Sequence, residues 1–477
     1  MSVGVQLKRL GSQSAIYGIG GILSRLIAVL LLPIYTSYLG TVGFGRIETV
    51  IALVGVLVIV LRLGITSAFF RFYFDADTDA ERTVVVRTSF WFTMAMATLG
   101  LAFGLAFAPQ LSDWLKLHDP WLVRAGFVGL WAQMNYAQMT SLFRVEQRPV
   151  SFAIASVANV LITIGATVAL VVGAHKGAIG AVVGNFLGTL SVYVVLLAYR
   201  RYQLGLQFDR ELLRKMNAFG LPLVPAALFL WAINFSDRLF IIHFKGQSEV
   251  GIYALAVRVA SVIVFLMTAF QLAWPAFAYS IRDDDEAKRT YAFVLTYLLF
   301  VTSWIALALG ALAPWIVDLL ATHRFARAAE AVPLLAFATA AYSGYSVLAI
   351  GIGRARKTQR NWIVAGVAAA VNVSLNLVLI PRYGMIGAAI ATLVAYLTLF
   401  VGMWVNSRSV YPVAYQWRRV LTLSASAAAL TVLVWQIDAS LPVAIALVLG
   451  YPLVLAPLGF YLPAERARMR RLVTSRA

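Results

Sequence analysis

The chain reads as an all-α polytopic membrane protein of fourteen transmembrane helices, and three observations predict it. Of 477 residues, 61% are hydrophobic and 12% charged, whereas soluble domains carry roughly a quarter charged residues. Apolar runs of about 20 residues follow one another almost without pause, each long enough to cross a ~30 Å hydrocarbon core as a helix. The short alternating segments of a membrane barrel do not occur.

The predicted spans, in order, are 11–36, 44–74, 84–110, 119–146, 150–173, 177–199, 217–242, 250–280, 290–320, 327–353, 360–380, 384–406, 418–437 and 441–461. Ahead of span 1, "MSVGVQLKRL" sets Lys8 and Arg9 before an apolar helix that no small-residue cleavage motif follows. A retained first span is expected there, not a signal peptide. Pro33, Pro222, Pro225 and Pro275 interrupt spans 1, 7 and 8, where bending is expected because neighbours can satisfy the freed carbonyls. Between spans 6 and 7, "RRYQLGLQFDRELLRKM" (200–216) mixes Leu204, Leu206, Phe208, Leu212 and Leu213 with charge. It predicts an amphipathic helix on the cytoplasmic surface. The basic tail "ERARMRRLVTSR" fits an anchor for anionic lipid.

Sorting the Lys and Arg residues by loop tests this count. Of 39, 27 fall on one side and seven on the other: Lys116, Arg124, Lys176, Lys245, Arg324, Arg327 and Arg382. The positive-inside rule then gives a cytoplasmic N-terminus, and fourteen crossings return the C-terminus to the same side. One missed span would mix the two sets. The formal charge of +19 is therefore a matter of topology and lipid contact, and no nucleic-acid partner is expected. With no cysteine in the chain, a disulfide framework, a thiolate metal site and a cysteine nucleophile are all excluded.

A repeat underlies the spans. Gly177 in "KGAIGA" and Gly384 in "YGMIGA" are 207 residues apart, and Gly45 in "VGFGRIETV" and Gly251 in "SEVGIYALAV" are 206 apart. Agreement of the two offsets predicts a duplicated six-helix unit. Six is even, so both copies face the same way about an axis along the membrane normal, with a cavity between them. The expected organisation is an N-lobe over 1–199, the linker 200–216, a C-lobe over 217–406, and two further helices with the basic tail over 407–477.

The opening "GSQSAIYGIGGILSRLIAVLLLPIYTSYLGTVGFG", the seventh-span "FSDRLFI" and "NLVLIPRYGMIGAAIATLV" resemble the multidrug/oligosaccharidyl-lipid/polysaccharide (MOP) superfamily, and within it the Wzx-like polysaccharide flippases. The likeness runs over nearly the whole chain. It implies the MOP-type fold, a bacterial inner-membrane location, and transfer of undecaprenyl-pyrophosphate-linked glycans from the cytoplasmic to the periplasmic leaflet. Besides the bilayer's phospholipids, it implies a polysaccharide polymerase as partner.

Five arginines fall inside spans: Arg25, Arg46, Arg62, Arg238 and Arg258. A charge at mid-bilayer costs at least ~2.5–3.5 kcal/mol, so such residues face a watery cavity or a partner. At 1.5 Å per residue, Arg25 and Arg258 lie near mid-membrane, Arg62 toward the inner leaflet, and Arg46 and Arg238 near the outer end. One reading is a ladder of guanidinium groups for an anionic headgroup, since Arg matches phosphate oxygens bidentately. The alternative is that Arg46 and Arg238 snorkel and Arg62 pairs structurally. The resemblance favours Arg25, Arg62 and Arg258, because lipid II flippases use arginines on helices 1, 2 and 8. Asp237 and Arg238 are adjacent and on a helix do not face each other. Glu48 is a candidate partner, or with Asp237 an ion-coupling group; a local structural pair is the competing reading.

Gln133, Asn135, Gln138, Asn159, Asn234, Gln271, Asn372 and Asn376 recur within spans, where interhelical hydrogen bonding is the default. Tyr17, Tyr35, Trp231, Tyr253 and Trp274 are candidates for stacking on sugar rings, with interfacial belts and packing as the alternative. The four histidines fall at predicted outer helix ends, with no metal-ligand spacing. No P-loop and no His–acid pair lies within the bilayer, so no catalytic residue, metal or cofactor is expected. A proton or sodium gradient, or the membrane potential, must then supply the energy. A lipid II flippase and an ion-coupled multidrug exporter of the same superfamily are the competing functions. Mid-membrane basic groups favour anionic cargo over the exporter's cations.

Overall fold

The computed structural model describes residues 31–200, 204–355, 360–463 and 465. Arg25, Tyr17 and the tail arginines beyond 465 lie outside them. The helices are α1 Leu32–Arg62, α2 Ile65–Asp75, α3 Asp79–Ala106, α4 Ala108–Trp114, α5 Pro120–Val145, α6 Pro149–Val168, α7 Gly177–Arg200, α8 Arg210–Gly220 and α9 Val224–Phe244. They continue as α10 Gln247–Ala260, α11 Val262–Ser280, α12 Asp284–Ala311, α13 Ala313–Leu320, α14 Ala328–Arg354, α15 Asn361–Tyr383, α16 Met385–Val410, α17 Trp417–Gln436 and α18 Leu441–Val454. Among the described residues, eleven helical segments are long and apolar enough to cross a bilayer. The chain is an all-helical, multi-span membrane protein.

Local chemistry sets many of the boundaries. Thr78 and Glu81 close a capping box on α3, each satisfying the other's backbone N–H, and Asp119, Asp209 and Asp283 accept from the first turns of α5, α8 and α12. These side chains occupy donors that a helix start leaves without intrahelical partners. Pro120 and Pro149 open α5 and α6, where a missing N–H costs nothing.

Other boundaries differ from expectation. Predicted spans 1 and 2 meet in one helix whose only interruption is Gly40 (φ 62, ψ −173). Span 2 does not run unbroken to 74: Leu63 and Gly64 both adopt positive φ (48 and 75), and α2 starts afresh. Gly64 needs to be glycine twice over, because a Cβ there would also strike the backbone of Gly220. Span 8 breaks at Ser261, whose hydroxyl takes the Arg258 carbonyl at 2.7 Å between α10 and α11. Pro222 lies in a 3₁₀ turn and Pro225 in the first turn of α9, so span 7 is not interrupted in its middle. Pro275 does lie within α11.

Contacts divide the chain into two units. The first comprises the chain through Leu255 with Leu320–Phe325 and Ala368–Ala391, and the second comprises the remainder. In the first unit, Ile65, Phe69, Phe90, Leu142, Phe143, Phe152, Tyr193 and Met216 form a buried cluster. Gln138 donates to Ser89 at 2.9 Å, and Asn159 accepts from Thr189 at 3.3 Å. The amides thus join helices, as membrane bundles use them. The linker is pinned to α3 by Trp91 donating to the Gly205 carbonyl and Arg87 to Gln207. In the second unit α12 packs with α14 and α17. Thr302 and Ser343 hydroxyls meet at 3.1 Å, and Trp435 donates to the Gly310 carbonyl at 2.9 Å.

Candidate functional site: a buried ion cluster and a glycine latch

Within the first unit, α1 and α9 bring Glu48, Asp237 and Arg238 together. Arg238 Nε lies 3.4 Å from Glu48 and its Nη1 lies 3.2 Å from Asp237 Oδ1, with all three side chains at most 5% exposed. The adjacent Asp237 and Arg238 do pair, contrary to the helical-geometry expectation. The short Asp side chain turns back to accept the Arg238 backbone N–H at 2.8 Å, and the long guanidinium folds over to the same oxygen. Nη1 also donates to the Asn234 carbonyl at 2.9 Å, and the guanidinium lies over Phe235. On the other side of the carboxylate, the Tyr253 hydroxyl donates to Asp237 Oδ2. Nearby, Ser236 and Asn376 both donate to Asn372 Oδ1 at 3.4 and 3.1 Å.

A cluster this deeply buried depends on its central cation. Removing one member of a buried ion pair costs about 3–5 kcal/mol because the other is left charged and dry. Arg238→Ala is therefore expected to lower the melting temperature of the purified protein sharply. Arg71→Ala, which breaks an exposed pair with Asp75 (57% and 64% exposed), should cost under about 1 kcal/mol. Equal melting shifts for the two variants would contradict the assignment.

One turn before Glu48, α1 and α10 touch backbone to backbone. A Cβ on Gly45 would meet the Gln247 carbonyl and Gly251 N, and a Cβ on Gly251 would meet the Thr41 carbonyl and Gly45 N. Ser248 donates to Thr41 across the same contact at 2.8 Å. Gln247 extends the seam, accepting from Thr49 at 3.3 Å and donating to the Leu115 carbonyl at 3.1 Å. Lys116 Nζ donates to the His243 carbonyl at 2.7 Å. Glu249 accepts the Met385 N–H at 3.2 Å, so its carboxylate sits at the positive N-terminal end of α16.

Arg46 and Arg62 lie on the same helix as Glu48, on either side of it. Arg46 is half-buried, and its Nε has no hydrogen-bond partner among the described residues. Arg62 is sixteen residues further along α1, about 24 Å at helical rise, where Nη2 approaches the Gln133 carbonyl at 3.5 Å. Arg258 is half-buried in α10, within the second unit. Arg25 lies outside the described residues. Of the aromatic residues predicted as sugar platforms, Tyr253 is fully buried against Asp237, Tyr35 stacks on Phe44, and Trp274 stacks on Phe270. His118 and His175 hold positive-φ turns (52 at both). Thr41, Gln247 and Ser248 carried no individual signal in the sequence: one polar residue at a helix start is common, and their significance is in each other.

Residues 10–281 match the family described as "Polysaccharide biosynthesis protein", and residues 222–378 match MatE. An uncharacterized membrane protein of Methanocaldococcus jannaschii is 24% identical over 41% of this chain and 39% of its own length. One of Haemophilus influenzae is 22% identical over 54% and 62%. The chain thus spans less than two thirds of either relative. "Probable flippase AglR" of Haloferax volcanii is 23% identical over 70% of each. Among solved structures, "Lipid II flippase MurJ, inward closed conformation" superposes with a TM-score of 0.76 at 12% identity, covering 92% of this chain and 98% of that one. An inward-facing multidrug resistance MATE family transporter gives 0.68 at 16% identity, over 86% and 96%. The solved structures share the fold over nearly the whole chain, and the family match covers more than half of the sequence: the chain belongs to the polysaccharide biosynthesis protein family.

Proposed function

We propose that the protein moves an undecaprenyl-pyrophosphate-linked oligosaccharide from the cytoplasmic to the periplasmic leaflet of the bacterial inner membrane by alternating access. In this reading fourteen helices form two six-helix lobes and a final pair, with both termini cytoplasmic. The spacing of the latch supports the duplication. Gly45 and Gly251, 206 residues apart, pack on each other reciprocally: a Cβ on each would meet the carbonyl four residues before the other, that of Gln247 and of Thr41. Equivalent residues that touch each other are what a two-fold axis passing between them requires. Gly177 and Gly384 open α7 and α16 with matching φ of 58 and 57.

The observation that carries the cargo reading is the set of arginines within apolar spans. Arg25, Arg62 and Arg258 bind the pyrophosphate, and Arg46 lies at the exit. Arg238 serves the latch instead, since its guanidinium is already engaged by Glu48 and Asp237. Those two carboxylates are the candidates for coupling to a proton or sodium gradient, or to the membrane potential. No catalytic step is required. A polysaccharide polymerase takes the product on the far side.

Mass spectrometry of lipid-linked intermediates in cells depleted of the protein tests this. A complete undecaprenyl-pyrophosphate glycan should accumulate and disappear on re-expression. Arg258→Ala and Arg25→Ala should each restore transport at least about tenfold less well, since a hydrogen bond to a charged group contributes roughly 1.5–3 kcal/mol. No accumulation, with new sensitivity to cationic drugs, would place the protein among the exporters.

A further inference from the structure

An apolar trench lies in the second unit, and none of the arginines assigned to cargo lines it. A cavity of about 750 Å³ is bounded by α12, α14, α16 and α17, with Leu397, Val401 and Trp404 on one wall and Leu421, Ser424 and Ala428 on another. It shares Pro333, Thr431 and Val432 with a second hollow that ends at Glu330, Trp435 and Gln436, so the two are one groove. From Trp417 to Trp435 it follows α17 for about 27 Å, close to the ~30 Å of a hydrocarbon core. Leu421 is 67% and Val432 53% exposed. Among the described residues these walls have no protein partner, and an empty groove would forfeit their dispersion contacts. In a membrane a hydrocarbon chain fills it.

Charge at the two mouths distinguishes among chains. On α16 the stripe Leu397, Val401, Trp404 continues at helical spacing to Arg408, and on α17 Leu421 is preceded one turn earlier by Arg418; both arginines are exposed. Trp404 and Trp417 pack edge to face at this mouth, 4.8 Å between centroids, as aromatic residues do at headgroup depth. Arg419, by contrast, is held by Glu465 and Gln416. The opposite mouth carries Glu330. We propose that the trench holds one acyl chain of an anionic phospholipid, entering from the leaflet at the Arg408–Arg418 end, with its phosphate between those two guanidinium groups. The occupant is a resident membrane lipid, not cargo.

Native mass spectrometry of the intact purified protein tests this, with dioleoyl phosphatidylglycerol and dioleoyl phosphatidylcholine offered at equal concentration. One phosphatidylglycerol should be retained with a roughly five- to thirtyfold preference, the contribution of one to two arginines at an anionic headgroup. Arg408→Ser with Arg418→Ser should bring the preference to parity, and Ala428→Phe, which fills the trench, should remove retention of both lipids. Parity in the unmodified protein, or an unchanged preference in the arginine variant, overturns the proposal. So does displacement of phosphatidylglycerol by equimolar undecaprenyl phosphate, which would make the trench a cargo site. Should Ala428→Phe fail to fold, the exposed arginine pair decides alone.

Discussion

Oxidising a Thr41→Cys/Ser248→Cys variant should reduce glycan transport to background, and a thiol reductant should restore it. The two hydroxyls are 2.8 Å apart, so two thiols in their place start near each other, as a disulfide needs. The protein has no cysteine of its own, so no competing bridge can form. In the proposed alternating-access cycle the ends of α1 and α10 part at every turnover. A covalent bond at the latch forbids that step, whereas each single-cysteine variant loses one hydrogen bond and should work nearly as well as the unmodified protein. Full cross-linking with undiminished transport would show that this end of the bundle need not open.

Gly45→Val should have the opposite effect, holding the same end apart. The added Cβ would fall on the Gln247 carbonyl and Gly251 N, which are backbone and cannot rotate away. Overpacking of this kind costs about 1–3 kcal/mol, enough to shift a two-state equilibrium by roughly 5- to 150-fold. With a Ser248→Cys reporter, labelling by a membrane-impermeant maleimide should accelerate by a comparable factor while transport falls. Gly55→Ala is the control, because a Cβ there meets only the Trp231 side chain at 3.2 Å, which can shift. If both variants label at the same rate, the Gly45–Gly251 contact does not govern access.

Helix starts were legible in the sequence where a local signal coincided with the edge of an apolar run. Asp119–Pro120 and Arg148–Pro149 are examples: the first helical residues of α5 and α6 match the predicted spans to within a residue. Helix interruptions were not. Nothing in the apolar run 44–74 marks Leu63 as left-handed, and the reason for the break is Gly220, more than 150 residues away, against which Gly64 packs. Ser261 is similarly an ordinary residue for a membrane helix until its hydroxyl is seen to take the Arg258 carbonyl.

The candidate site divides in the same way. That Arg238, Glu48 and Asp237 needed partners followed from the cost of a bare charge in hydrocarbon. That they partner one another, with Tyr253 as the fourth member, followed only from the packing of α9 and α10 on α1. Tyr253 offered no clue, since a tyrosine near a helix end serves a belt, a sugar or a core equally well.

By itself the sequence determined that the chain is a helical, multi-span membrane protein, where many of its spans begin, and the 207-residue echo. A membrane helix satisfies its own backbone hydrogen bonds, so hydropathy along one dimension is enough to find it. Tertiary structure alone decided which repeated residues touch and which charges meet. Those contacts join positions some two hundred residues apart, and their free energy depends on distance and burial in three dimensions, which no local pattern records.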